Sequence, residues 1–70
     1  MKKQKQREEL RLALLDLLTH SSNEVLETRE ETEEEWGFIE CINDKGQEIR
    51  IVFTENSAIE VYVNGVLQGV

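Results

Sequence analysis

Seventy residues make one domain with a thin core, because a chain this short buries only about 60% of the surface its unfolded form exposes, leaving no cleft between domains for catalysis. With 39% apolar residues, 33% charged residues and no proline, the composition permits a packed core and excludes a low-complexity or disordered chain. Fifteen acidic against eight basic residues give a formal net charge of −7.

The distribution of that charge says more than its sum. Lys2, Lys3, Lys5, Arg7 and Arg11 crowd the first eleven positions, and the remaining body carries thirteen acids against Arg29, Lys45 and Arg50, a net of −10. Such a body is repelled by nucleic-acid phosphates and by anionic membranes, both of which are bound by Lys and Arg. The expected partner is a protein with a basic surface, with no direct nucleic-acid or membrane contact.

At the N-terminus, residues 1–5 read as a frayed, solubilising basic arm. The segment "QREELRLALLDLLTHSSN" is built of strong helix formers and predicts a helix over about 5–20. Leu10, Leu14, Leu17 and Leu18 form its apolar stripe, widened by Leu12 and Leu15. Arg11 and Asp16 interrupt the leucines, so the segment is neither a signal-peptide core nor a membrane span, and a cytoplasmic protein is expected. His20, then Ser21, Ser22 and Asn23, mark the helix end, where a cation is favoured and turn formers replace the period.

Residues 24–35, "EVLETREETEEE", admit two readings. Ser21 and Glu24 match a capping box for a second helix, but such a helix has no apolar stripe beyond Val25 and Leu26. Alternation of Leu26, Thr28, Glu30 and Thr32 against Val25, Glu27, Arg29 and Glu31 favours an edge strand over 24–30 followed by an acidic turn. Glutamates on an edge also discourage sheet-to-sheet aggregation.

From Trp36 onward the period is 2. Asn43, Asp44, Lys45 and Gly46 form a turn of the three-residue hairpin type, which places Glu40 opposite Arg50, Ile39 opposite Ile51, Phe38 opposite Val52 and Trp36 opposite Thr54. The connection "ENS" then sets Phe53 against Ile59, Ile51 against Val61 and Ile49 against Val63, and Asn64-Gly65 closes a last hairpin. The expected strands are 36–42, 47–54, 58–63 and 66–70. The fold class is therefore α+β: an N-terminal amphipathic helix packed on one face of an antiparallel meander of four to five strands.

One sheet face collects Ile39, Cys41, Ile49, Ile51, Phe53, Ile59, Val61 and Val63, and the helix is its natural cover. The other carries Trp36, Phe38, Glu40, Arg50, Val52, Tyr62 and Leu67, an apolar and aromatic set where a one-sided sheet shows polar residues.

Motifs for chemistry are missing. His20 is the sole histidine and Cys41 the sole cysteine, so no disulfide, zinc spacing or nucleophile–base pair is available, and Cys41 falls among the buried positions. The glutamate run has neither the Asp/Asn spacing nor the turn glycine of a calcium loop, and Gly37, Gly46, Gly65 and Gly69 form no phosphate cradle. No catalytic residue, metal or cofactor is expected. The function expected is a small non-enzymatic module that regulates or inhibits a macromolecular partner. Glu30, Glu31, Glu33, Glu34 and Glu35 would rim the anchors Trp36, Phe38 and Tyr62, and such a surface could take the place of nucleic acid in a basic groove. The alternative is a self-assembling structural subunit, a homodimer through the leucine-rich helix or the second sheet face.

Overall fold

The computed structural model describes residues 4–56 and 58–69. One helix, α1 (Lys5–Thr19), precedes five strands: β1 (Glu24–Arg29), β2 (Gly37–Ile42), β3 (Glu48–Phe53), β4 (Glu60–Val63) and β5 (Val66–Leu67). The strands lie in a single antiparallel sheet in chain order, and α1 packs on one of its faces. The α+β meander is thus the fold of this chain.

Turn chemistry and alternation set the register together. Asn43 closes the β2–β3 hairpin: its N–H donates to Gln47 O at 3.1 Å and its side-chain oxygen accepts from the N–H groups of Lys45 and Gln47. Ile39 then faces Ile51 and Glu40 faces Arg50, as the alternation requires. Across β3–β4, Ile49 faces Val63 and Ile51 faces Val61. At the last hairpin Asn64 and Gly65 take φ of 51° and 84°, the left-handed pair that matches the twist of two directly linked strands.

Several expectations need correction. Residue 36 is not in a strand, since β2 pairing starts with Gly37 opposite Phe53, so the Trp36–Thr54 pair does not form. In β1 the register slips between Val25 and Glu27, leaving Leu26 as an extra bulged residue. The slip turns Val25 and Thr28 to the same face, opposite Cys41 and Ile39, and the simple alternation predicted there is broken. Gln4 and Lys5 belong to the helix start rather than to a frayed arm; residues 1–3 of that arm, Ser57 of the "ENS" turn and Val70 of the last predicted strand lie outside the described residues.

The largest correction concerns the face α1 presents. Leu14, Leu15 and Leu18 pack onto a core of Ile39, Ile51 and Phe53, whereas Leu10, Leu12 and Leu17 are exposed. The inward stripe runs Arg7, Arg11, Leu14, Leu15, Leu18, rotated from the Leu10–Leu14–Leu17–Leu18 stripe by about a sixth of a turn, with Arg11 only 7% exposed. Arg11 is tolerated inside because it is fully partnered. Its Nε and Nη2 donate to both Glu8 carboxylate oxygens at 3.0 and 2.6 Å, and Nη1 donates to Thr28 Oγ1 at 2.6 Å. Thr28 Oγ1 in turn donates to Phe38 O at 2.9 Å, tying helix, edge strand and β2 into one network. Hydrogen bonding to Glu8 raises the Arg11 pKa further above its already high value.

Candidate functional site

The junction between β1 and β2 divides the acidic run into two parts with opposite roles. Thr32 folds the outer part: its N–H donates to Glu35 O at 2.9 Å, and its hydroxyl accepts from the N–H groups of Glu34 and Glu35 at 3.2 and 3.0 Å. This tight turn displays Glu33, Glu34 and Glu35 to solvent, and Glu30 is exposed beside it.

Glu31 goes the other way. It is 3% exposed and accepts two hydrogen bonds from Arg7, Nε to Oε1 at 2.8 Å and Nη2 to Oε2 at 2.9 Å, a bidentate pair between the first turn of α1 and the junction. The same guanidinium stands over the Trp36 ring at 5.1 Å from its centroid. Hydrogen bonding to Glu31 raises the Arg7 pKa, so this charge is permanent. Arg7 is therefore a clamp from α1 to the junction, and Glu31 is not part of an exposed rim.

Gly37 makes the close approach possible. A methyl group there would stand 3.0 Å from Glu31 N and 3.2 Å from Arg29 O, with the Arg11 stem at 3.4 Å. Both closest neighbours are backbone atoms, which cannot swing aside.

On the sheet face away from α1, β2 supplies Phe38 and Glu40, β3 supplies Arg50 and Val52, and β4 supplies Glu60 and Tyr62. Phe38 is 7% exposed: the Arg50 guanidinium lies over its ring at 4.1 Å and donates to Glu40 at 3.2 Å, so Phe38 is a covered floor and not the exposed anchor expected. Trp36, Val52 and Tyr62 are half-buried, and the Tyr62 hydroxyl is within 3.4 Å of Glu60.

Two shallow depressions meet on this face at Arg50 and Val52. One, of about 380 Å³, reaches Glu40, Glu48 and Tyr62; the other, of about 360 Å³, reaches Glu34, Glu35, Trp36 and Phe38. Four carboxylates thus surround one guanidinium that already has a carboxylate partner. The arrangement attracts cations and offers aromatic faces beside them.

The structure brings Glu34, Glu35 and Trp36 together beside the Phe38 floor, places Tyr62 at the far depression, and removes Glu31 from the surface. Sequence reasoning set Glu40 and Arg50 opposite each other but did not give them a place in the site; their cross-strand position over Phe38 was the available signal. His20 ends the helix, with Nδ1 2.7 Å from Asp16 O. Cys41 is 1% exposed and burial pushes its thiol pKa up, which keeps it protonated and withdrawn. Alkylation of Cys41 in the native protein is expected to proceed only through opening of the fold; a reaction as fast as that of the urea-unfolded chain, read by mass spectrometry, would show the thiol to be accessible.

Among the described residues no group of histidine, cysteine and carboxylate side chains is arranged to hold a metal ion, and no helix is long and apolar enough to cross a membrane. No protein-family model, no curated protein and no solved structure matches this chain, so the reading of its function rests on this geometry.

Proposed function

We propose that the chain is a non-enzymatic binding module that receives a basic segment of a protein partner on the sheet face not covered by α1. The supporting observation is the pair of depressions floored by Phe38, Val52 and Tyr62 and walled by Glu34, Glu35, Glu40 and Glu48. Aromatic anchors hold a bound segment, whereas exposed carboxylates mainly speed encounter and select the sign of the partner. An arginine of the partner laid against Trp36 or Tyr62 gains ring contact and a carboxylate at once. By the same charge layout, the face suits a groove that otherwise takes nucleic-acid phosphates, which is how such a module would inhibit or regulate its partner.

A defined arginine-rich peptide, with a glutamate-rich peptide as control, tests this by titration calorimetry and amide shift mapping. Binding is expected to weaken about tenfold from low to physiological salt and about tenfold again on reversing Glu34 and Glu35 to lysine. Perturbed amides should cluster on Phe38, Arg50, Val52 and Tyr62. Affinity indifferent to salt and to charge reversal, or shifts confined to α1, would rule the reading out.

A further inference from the structure

The arginines of this chain are not all held alike. Arg7 and Arg11 each donate two hydrogen bonds to one carboxylate, with side chains only 14% and 8% exposed. Arg50 donates one, to Glu40 Oε2 at 3.2 Å, which is long beside the about 2.7–2.9 Å usual for a charged pair. Its side chain is 45% exposed, and the second Glu40 oxygen accepts no hydrogen bond among the described residues. An exposed pair joined by a single long bond contributes little to stability, so its members exchange partners readily.

This loosely held cation stands at the centre of the face not covered by α1. Arg50 borders both depressions there, and its guanidinium lies over the Phe38 ring at 4.1 Å from the centroid. The ring that the face offers to a cation at this point is thus occupied by the chain's own cation. Around it Glu34, Glu35 and Glu48 make no ion pair among the described residues. Glu40 faces Arg50 across the β2–β3 ladder and Phe38 faces Val52, so the backbone on both sides is fixed and only the Arg50 side chain has to move to clear the ring. Glu48 is two residues back on the same strand, hence on the same face, and lines the same depression as Arg50. A side chain turned off Phe38 therefore meets another carboxylate.

Given the basic partner proposed above, on which this rests, we infer that Arg50 holds the place of an arginine of that partner: the incoming guanidinium takes the position over Phe38 beside Glu40, and Arg50 turns away toward Glu48. The exchange favours arginine over lysine. A guanidinium is planar, weakly hydrated and able to lie flat on a ring while its edge donates two bonds to a carboxylate, whereas an ammonium is a compact, strongly hydrated point charge. Arg50 is then a competitor within the chain, and removing it strengthens binding, the reverse of what a residue supporting the site would do.

Two peptides of equal length and charge, one rich in arginine and one in lysine, test this by titration calorimetry on the wild type, Arg50→Gln and Arg50→Lys. Arg50→Gln should bind the arginine peptide about tenfold more tightly than the wild type does, and the lysine peptide only about twofold, the share due to net charge alone. Arg50→Lys leaves the net charge unchanged but grips the ring less firmly; it should gain about threefold for the arginine peptide and nothing for the lysine peptide. It also keeps the test intact where Arg50→Gln fails to fold, which circular dichroism reports. In the wild type, the Arg50 Nε–H resonance, displaced by the Phe38 ring current, should move to its unstacked position as arginine peptide is added. Arginine-peptide binding by the wild type with weaker or unchanged affinity in both variants, equal gains for the two peptides, or an Arg50 resonance unmoved at saturation would overturn the exchange and leave the binding face standing. Absence of binding by all three proteins would overturn both.

Discussion

Glu31→Ala is expected to lower the melting temperature by about 15 °C, the largest effect of any carboxylate in the acidic run. The substitution removes the bidentate carboxylate from the Arg7 guanidinium and leaves that cation, with its side chain 14% exposed, against the Trp36 ring without its principal carboxylate partner. Removing one member of an enclosed pair costs far more than the pair itself contributes, because the remaining charge has lost its water as well as its partner. Glu33→Ala, Glu34→Ala and Glu35→Ala, all at exposed positions, should each stay within about 2 °C of the wild type. A thermal melt of the four variants side by side decides the matter, and four equal curves would mean that Arg7 does not clamp the junction. Reversing the pair tests it further: Arg7→Glu combined with Glu31→Arg should recover part of the loss that either change produces alone.

Gly37→Ala should destabilise the fold by about 2 kcal/mol, or about 10 °C in melting temperature. An alanine elsewhere in a strand usually stabilises relative to glycine, since glycine loses more freedom on folding. Here the added methyl meets the backbone at Glu31 N and Arg29 O at 3.0 and 3.2 Å, so the β1–β2 connection must move outward. That displacement also lengthens the Arg7–Glu31 contact. Gly37→Ala and Glu31→Ala are therefore expected to be less than additive when combined, and strict additivity of their denaturation midpoints would separate the two effects. A Gly37→Ala protein as stable as the wild type would show that the connection has slack.

Much of the sheet was legible in the sequence. Asn43 to Gly46 and Asn64-Gly65 are turn chemistries with few alternatives, and once those turns are placed, a slip of one residue would move Ile39, Ile51 and Phe53 out of the core. The face of the helix was not legible in the same way. Counting arginine as an outward residue puts Leu10 and Leu17 inside, but a long side chain with a local acceptor buries its stem, and Glu8 and Thr28 supply the acceptors for Arg11. Arg7, Arg11, Leu14 and Leu18 recur at helical spacing and carried the signal. Glu31 illustrates a different limit: nothing within the run distinguishes it from its neighbours, because its partner lies 24 positions away. For the candidate site, the aromatic and acidic residues were legible as a set, while the covering of Phe38 by Arg50 depended on side-chain direction above the sheet.

The order of the strands in the sheet repeats their order along the chain. Every strand pair is consequently closed by a neighbouring connection, and the entropy lost in bringing the strands together is that of short loops. Hairpins of this kind form in about 1 to 10 μs, so the meander can assemble by successive local steps without waiting for a distant segment to diffuse into place. The contacts of α1 span longer stretches: Arg7 reaches Glu31 across 24 positions, and Leu14, Leu15 and Leu18 reach the core at Ile39, Ile51 and Phe53. Synthesis from the N-terminus thus delivers the helix first, gives Arg7 its acceptor only after Glu31 has emerged, and completes the core under the leucines only with Ile51 and Phe53.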